Sequence, residues 1–151
     1  GEQMAVRLQT EPFDTGADIA RLTRGRLDAG AVVSFTGICR AGGETGTILA
    51  MLLEHFPGMP EDELGPLEAE ARERWPLIDA LILHRYGKLI PGEEIVLVVT
   101  LSAHREAAFQ AASFLMDYLK TSAPFWKKEE RADGTSWVEA KDSDDAARNR
   151  W

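Results

Sequence analysis

Residues 94–120, EIVLVVTLSAHREAAFQAASFLMDYLK, place a strand pattern directly before a helix pattern. The first part, residues 94–103, is a run of β-branched and apolar residues, which is typical of a strand. From His104 onward, apolar residues recur at spacings of three and four, which predicts a helix with one apolar stripe. The stripe consists of Ala108, Ala112, Leu115 and Leu119. The stretch therefore indicates a domain that mixes strands and helices.

Further strand patterns lie on both sides of this stretch. Residues 4–10 and 77–87 alternate or are rich in apolar residues, and residues 31–39 (AVVSFTGIC) predict a buried strand. Residues 47–55 favour a strand, although their Leu and Met residues leave a helix possible. The Pro-Gly pair in residues 88–94 (KLIPGEE) predicts a turn.

Helix and hairpin patterns complete the domain. One helix is predicted over residues 14–30, with Asp14 or Thr15 as its N-cap and Gly30 at its end, and another begins near Glu61. Residues 125–141 predict a hairpin with Asp133-Gly134 as its turn, followed by a polar tail at about residues 142–151. The sequence thus predicts one α+β domain over residues 1–151, with a mostly antiparallel sheet and flanking helices.

The composition limits the class of protein. The 151 residues are 44% hydrophobic and 28% charged, which is typical of a soluble globular domain, and we expect a cytoplasmic location because the N-terminal residues lack a signal peptide pattern. One cysteine excludes an internal disulfide and a multi-cysteine metal site. The net charge of −8 argues against nucleic acid, and no apolar run is long enough for a membrane span.

Charge is nevertheless uneven along the chain. Between residues 104 and 128, four Lys or Arg residues face two acids, so this segment is locally positive by two (4 − 2). An acidic body with a small basic region suits a small anionic ligand better than a polymer.

Lys120 and Lys127 are the first candidate site. The predicted helix places Lys120 in its last turn, and Pro124 forces the chain to reverse, so that Lys127 can return towards Lys120 on an extended segment. A pair of lysines beside Phe125 and Trp126 can act as nucleophile, general acid or base, or anion clamp. The spacing alone favours a simpler interpretation, in which Lys120 interacts with the helix dipole and the strand lysines are solvated.

Three other positions could bind an anion. His104 and Arg105 stand at a predicted helix N-terminus, where free N–H groups favour phosphate, although the pair could also simply decorate the helix surface. Arg40 ends a strand pattern before a glycine-rich turn and can hold a phosphate with two donors. The similar pair His84-Arg85 ends a strand before a turn, and we expect it to be structural.

Cys39 is adjacent to Arg40 in the sequence. A single cysteine on a strand is usually a small buried hydrophobe, and no nearby pattern supplies a base that would activate a thiol. We therefore expect Cys39 to be unreactive.

Six segments of the chain occur in the order typical of one known family. They are GAVVSFTGICR (30–40), LLEHFPGM (52–59), HRYGKLIPGEEIVLVV (84–99), SAHREAAFQAASFLMDYLK (102–120), APFWKKE (123–129) and WVEAKDSD (137–144). In these segments the chain resembles the large subunit of molybdopterin synthase, the MoaE family. The resemblance runs from about Phe13 to Trp151, and the run MDYLKTSAPFWKKE, residues 116–129, is its most specific part.

The resemblance implies a fold, a reaction and partners. It implies an α/β-hammerhead fold and a homodimer that binds two small ubiquitin-like MoaD subunits, giving a heterotetramer. The C-terminal Gly-Gly of the small subunit carries a thiocarboxylate, and two sulfurs pass to cyclic pyranopterin monophosphate (precursor Z) to form molybdopterin. Since the partner supplies the sulfur, the resemblance implies no catalytic cysteine, metal or resident cofactor in this chain.

The resemblance also implies roles for particular residues. Lys120 and Lys127 match the family's catalytic lysines, and Lys141 stands where relatives often have an arginine that reaches the other protomer's pocket. The implied substrate pocket consists of Ile38, Cys39, Arg40, His104, Arg105, Lys120, Lys127, Lys128 and Glu129.

This chain departs from the family pattern at two places. The turn after Arg40 reads AGGETG where relatives often carry asparagine, and Ile38 stands where some relatives have lysine. Neither departure affects the lysine pair. A non-catalytic adaptor that binds a ubiquitin-like tail remains the alternative function, and it would tolerate the loss of either lysine.

Overall fold

The computed structural model describes residues 6–42, 47–55, 59–122, 125–132 and 134–138. Within these residues the chain forms three helices and eight strands, which confirms the predicted α+β class. The elements in chain order are β1 (Val6–Gln9), α1 (Thr15–Thr23), β2 (Ala31–Ile38), β3 (Ile48–His55), α2 (Met59–Arg74), β4 (Leu77–Arg85), β5 (Gly87–Leu89), β6 (Glu94–Ser102), α3 (Arg105–Ser122), β7 (Phe125–Arg131) and β8 (Gly134–Val138).

The strands form two four-stranded sheets rather than the single sheet that the sequence suggested. Sheet A has the order β1-β4-β6-β2, and sheet B has the order β5-β3-β7-β8. All pairings are antiparallel except that of β1 with β4, so the mostly antiparallel character is confirmed. The chain changes sheet after β2, because β3 pairs with β5 and β7 instead of with its predecessor.

Sheet A carries most of the core, since both of its faces are covered. Alternate residues of β6 point to opposite faces. Val96 and Val98 pack towards α2 and α3, whereas Leu97 and Val99 pack towards α1. The apolar stripe predicted on α3 is buried, since each of its four residues is at most 5% exposed. Three of them pack in the same cluster as Val96 and Val98. The predicted helix and strand of residues 94–120 therefore form the centre of the domain.

Strand β2 is not the buried strand that its composition predicted. Val32, Phe35 and Ile38 are 41%, 41% and 55% exposed. The cause is the position of β2 at the edge of sheet A, where it pairs with β6 and has no second neighbour among the described strands. Apolar composition indicated a strand here, but it did not indicate burial.

Two element boundaries also differ from the sequence prediction. Helix α1 begins as expected, with the Asp14 carboxylate accepting a hydrogen bond from the Ala17 N–H, but it ends at Thr23 instead of Gly30. Arg24 leaves the helical region at ψ 125°, and Gly25 follows at φ +72°, a conformation that glycine adopts without strain. Within the predicted turn of residues 88–94, the first two residues belong instead to β5.

The pairing of β7 with β8 confirms the predicted hairpin, but Gly134 is the first residue of β8, opposite Arg131, and does not belong to the turn as predicted. Asp133 and the polar tail at residues 142–151 lie outside the described residues. No helix in the described part of the chain is long and apolar enough to cross a membrane.

Candidate active site

The turn between β5 and β6 fixes the backbone of Cys39 just beyond the end of β2. Gly92 N–H donates to the Cys39 carbonyl at 2.8 Å, and Cys39 N–H donates to the Glu93 carbonyl at 2.9 Å. Gly92 has φ +94°, which a residue with a side chain would adopt only with strain. Both polar groups of the Cys39 backbone are hydrogen-bonded, so the backbone next to Arg40 is held in place. The Arg40 side chain is exposed to solvent.

The buried Arg85 side chain also holds the turn between β5 and β6 in place. Its guanidinium donates to the Thr10 carbonyl at 2.8 and 3.1 Å and to the Glu94 carbonyl at 3.0 Å, and it lies 3.7 Å from a Glu93 carboxylate oxygen. The other Glu93 carboxylate oxygen accepts the Ile90 N–H at 2.7 Å. Arg85 thus ties β1, β6 and the turn together, in agreement with the structural role expected for His84-Arg85.

The pairing of β3 with β7 brings Lys127 and Glu129 to this point. Lys127 lies opposite Leu53, and Glu129 lies opposite Met51. Directly opposed residues of an antiparallel pair share one face of the sheet. Leu53 and Met51 pack with Cys39 in one buried cluster. Lys127 and Glu129 therefore project from the face of sheet B that covers Cys39.

The Cys39 thiol is suited to packing and not to nucleophilic attack. Cys39 is only 4% exposed, which confirms the expectation of a small buried hydrophobe. Burial raises the pKa of the Cys39 thiol above its usual value, while Lys127 acts in the opposite direction and Glu93 and Glu129 add to the rise. A protonated, buried thiol is a poor nucleophile. These charges lie within electrostatic range of Cys39, so the site has one positive and two negative side chains around it.

Lys127, Glu129 and Arg131 form a charged row on one face of β7, since alternate residues of a strand share a face. The Lys127 ammonium lies 3.9 Å from one Glu129 carboxylate oxygen, and Arg131 donates to the other at 2.5 and 3.1 Å. Lys128 lies on the opposite face, as does Glu130, whose carboxylate is 3.8 Å from the Lys88 ammonium. The structure thus separates Lys127 from Lys128.

Lys120 is exposed in the last turn of α3. The Thr100 hydroxyl donates to the Ala108 carbonyl at 2.7 Å, so the first turns of α3 lie beside the end of β6. Since α3 then packs along sheet A, its last turn points towards the other end of β6, where Arg40 is. The predicted reversal at Pro124 and the predicted support from Phe125 and Trp126 rest on residues whose placement or side chains lie outside the described part.

His104 and Arg105 do not join this group within one chain. Both are exposed at the start of α3, directly after β6. In the register of β2 with β6, Ala31 lies opposite Ser102 and Ile38 lies opposite Glu94. The seven residue steps from Ala31 to Ile38 correspond to roughly 23 Å. His104 and Arg105 therefore lie at the opposite end of sheet A from Ile38, Cys39 and Arg40.

Arg131 is the residue of the site region that the sequence prediction missed. Arg85 was correctly expected to be structural, although its link to the turn that holds Cys39 depends on long-range contacts that no local pattern shows. Arg131 had a signal, because residues 127, 129 and 131 alternate along one strand and all carry charge. Lys141 lies outside the described residues. Among the residues that the structure describes, no group of three or more His, Cys, Asp or Glu side chains could hold a metal ion.

Comparison with known proteins finds similar sequences in one family. A protein-family model described as "MoaE protein" matches residues 8–122. A molybdopterin synthase catalytic subunit from Mesorhizobium japonicum is 60% identical over 148 residues, covering 97% of this chain and 92% of that protein.

Solved structures give the same result. The molybdopterin biosynthesis MoaE protein from Burkholderia ambifaria is 47% identical, with a TM-score of 0.84 over 99% of this chain and 98% of that one. Molybdopterin synthase from Staphylococcus aureus is 30% identical, with a TM-score of 0.81 over 91% of this chain and 99% of that one.

Proposed function

Because this chain belongs to the MoaE family, we propose that it is the catalytic subunit of a molybdopterin synthase. In the proposed reaction, a small ubiquitin-like partner of the MoaD type presents a thiocarboxylate at its C-terminal Gly-Gly. Each thiocarboxylate supplies one sulfur, which is transferred to cyclic pyranopterin monophosphate as its acyl C–S bond is cleaved with water, leaving a carboxylate on the small subunit. A second small subunit then supplies the second sulfur of the molybdopterin dithiolene. The observation that carries the proposal is the position of Lys127. Its side chain is half-exposed and projects from the face of sheet B that covers the buried Cys39, next to which Arg40 is attached.

Lys127 and Lys120 supply the chemistry in this proposal. An ammonium group beside the thiocarboxylate carbonyl polarises it, stabilises negative charge on its oxygen, and can give or take a proton as sulfur bonds to the pyranopterin. Lys127 is 42% exposed at its side chain, so a ligand can reach its ammonium from the solvent side. The sulfur comes from the partner, which is consistent with the buried Cys39 thiol. We propose that no resident metal or cofactor takes part.

Substrate binding falls to the residues around the end of β2. Arg40 can bind the phosphate of the precursor with two parallel donors. Ile38 and Cys39 line the same end of the strand, and Ile38 is 55% exposed and so offers an apolar surface to the pterin. Glu129 supplies the only buried carboxylate on the charged row of β7. Lys128, on the other face of sheet B, is suited to the partner protein rather than to the precursor.

His104 and Arg105 require a second copy of the chain if they serve the same pocket. They lie roughly 23 Å from the end of β2 in one protomer, which is too far for a side chain to span. We propose a homodimer in which each protomer lends these residues to the other's pocket, with Lys141 as a further cross-subunit contact. Two such protomers with two small subunits make a heterotetramer. We propose that the assembly acts in the cytoplasm.

The decisive test is incubation of the protein with a thiocarboxylated small subunit and cyclic pyranopterin monophosphate, followed by detection of molybdopterin. We expect Lys127→Ala and Lys120→Ala to abolish product formation nearly completely while small-subunit binding is retained. The matched control is Lys88→Ala, which removes a more exposed lysine from the same sheet and should leave the rate unchanged. A wild-type rate in either site variant would refute the assignment of that lysine, whereas no molybdopterin from the unaltered protein would favour the non-catalytic adaptor.

Arg40→Ala separates binding from chemistry. If Arg40 holds the phosphate in both the ground state and the transition state, its loss raises KM for the precursor and leaves kcat nearly unchanged. An unchanged KM would remove Arg40 from the binding site.

A further inference from the structure

The charged row of β7 contains a buried carboxylate between two cations of unequal exposure. The side chains of Glu129 and Arg131 are 10% and 17% exposed, whereas that of Lys127 is 42% exposed. A buried carboxylate is stable only when a cation or several donors compensate its charge. Which of the two cations takes this role decides whether the other remains available to a ligand.

Of the two cations, Arg131 is the one that hydrogen-bonds directly to the Glu129 carboxylate. Its Nη2 and Nε both donate to Oε1, at 2.5 and 3.1 Å. The Lys127 Nζ reaches only the other oxygen, Oε2, and at 3.9 Å it is too far for a hydrogen bond. Glu129 thus attracts the Lys127 ammonium without binding it directly.

We propose that Arg131 is a positioning residue that acts on Lys127 through Glu129. By holding Oε1, Arg131 fixes the orientation of the carboxylate, so that Oε2 orients the Lys127 ammonium while leaving its protons free for the substrate. The inference rests on the proposed function, in which Lys127 acts in sulfur transfer. It adds a residue outside the implied substrate pocket.

Loss of Arg131 changes the partner of the buried carboxylate. Of the cations within ion-pair distance of Glu129 in the described residues, Lys127 is then the one that remains. The carboxylate turns towards it and draws the ammonium into a direct hydrogen bond. A displacement of about 1 Å at a reacting group can cost up to about a hundredfold in rate. We expect Arg131→Met to lower kcat about tenfold and to change KM for the precursor little.

A double-mutant cycle tests whether Arg131 acts through Glu129. The set is Arg131→Met, Glu129→Gln and the double variant, each assayed for kcat with the thiocarboxylated small subunit. If Arg131 acts through the carboxylate, Arg131→Met lowers kcat in the wild-type background and has no further effect once Glu129 is Gln. Equal effects in both backgrounds, or an unchanged kcat in Arg131→Met, would overturn the proposal.

Two further variants separate positioning from folding. Lys88→Met breaks the ion pair of Lys88 with Glu130 on the opposite face of the same sheet, and it should leave kcat unchanged. Arg131→Lys keeps the charge but not the two-donor contact, so it should restore part of the lost kcat. If kcat in the Arg131 variants only follows the fraction of folded protein, measured by thermal unfolding, the role is structural and the proposal fails.

A readout independent of activity distinguishes this proposal from the proposed function. The rate at which acetic anhydride labels Lys127, relative to Lys88 in the same molecule, is measured by mass spectrometry. We expect Arg131→Met to slow Lys127 labelling several-fold, because the freed carboxylate binds the ammonium. Slower labelling in a protein that makes no molybdopterin would refute the proposed function alone, whereas unchanged labelling would refute the positioning role of Arg131.

Discussion

His84 makes the stability of this protein depend on pH in a way that the structure quantifies. The ring lies within sheet A, and its Nδ1 is 2.8 Å from the Arg85 carbonyl. A carbonyl oxygen only accepts, so Nδ1 carries the proton of the neutral ring. Burial lowers the pKa of His84 from 6.5 to about 4, and the hydrogen bond to the carbonyl opposes this only in part.

The sign of the effect follows from which state binds the extra proton. Between about pH 6.5 and pH 4, the unfolded chain protonates His84 while the folded chain does not. The stabilising contribution is therefore complete above pH 6.5 and is lost as the pH falls to about 4. The difference between the two pKa values corresponds to about 3 kcal/mol in total, of which about 2 kcal/mol is lost by about pH 5.

The measurement compares urea unfolding of the wild type and of His84→Asn at several pH values from about 7.5 to about 4.5. Asn keeps a donor near the position of Nδ1 but does not titrate in this range. Carboxylates also titrate here, but they do so in both proteins, so the difference in unfolding free energy isolates His84. His104→Asn is the matched control, because His104 is exposed.

The expected result is that the stability gap between the wild type and His84→Asn narrows by about 2 kcal/mol between pH 7.5 and pH 5. The control variant should parallel the wild type throughout. A gap that stays constant within about 0.5 kcal/mol would show that His84 titrates alike in both states, which would refute the role of burial.

Two further predictions concern the start of α3 and the proposed dimer. A Cβ on Gly30 would lie 2.1 Å from the Ala103 carbonyl oxygen, so Gly30→Ala should destabilise the fold by about 2 kcal/mol in urea unfolding, whereas Gly16→Ala, with an ordinary 3.5 Å contact, should not. Mixing inactive Lys127→Ala and His104→Ala subunits under exchange conditions should restore molybdopterin formation, because one pocket of each mixed dimer is then intact. No recovery would place both residues in the pocket of one protomer.

Most of the fold was predictable from local patterns, and the errors have a common cause. The apolar runs of β4 and β6, and the spacing of three and four between apolar residues of α3, predicted their type and approximate bounds. The two strands are buried on both faces, and α3 buries one stripe. For β2 the same reasoning predicted burial, yet Val32 and Phe35 are each 41% exposed. Composition reports what a strand could bury, but its position in the sheet decides what it does bury.

In the candidate site, too, residue identities were predictable from the sequence but the contacts between them were not. The side chains of Arg40 and Lys127 were identified from their residue types and from a resemblance that spans the chain. Neither source could show that the turn at Gly92 clamps Cys39 from both sides, or that Arg131 shares a carboxylate with Lys127. The first contact joins residues far apart in the sequence, and the second depends on how the side chains are oriented along one face of β7. The distance between His104 and Arg40 likewise became visible only from the pairing of β2 with β6.

The pairing of β3 with β7 has a consequence for the order in which the molecule is built. Leu53 and Lys127 lie opposite each other across 74 residues of chain (127 − 53), so this contact closes a long loop. Contacts of such separation tend to form late, and N-terminal elements leave the ribosome first. Until β7 arrives, one edge of β3 has unpaired backbone groups that can pair with another chain. Lys127, which we propose for sulfur transfer, is thus expected to be among the last residues to reach its folded position. An incompletely folded chain would expose an unpaired, aggregation-prone strand edge before its active site had formed.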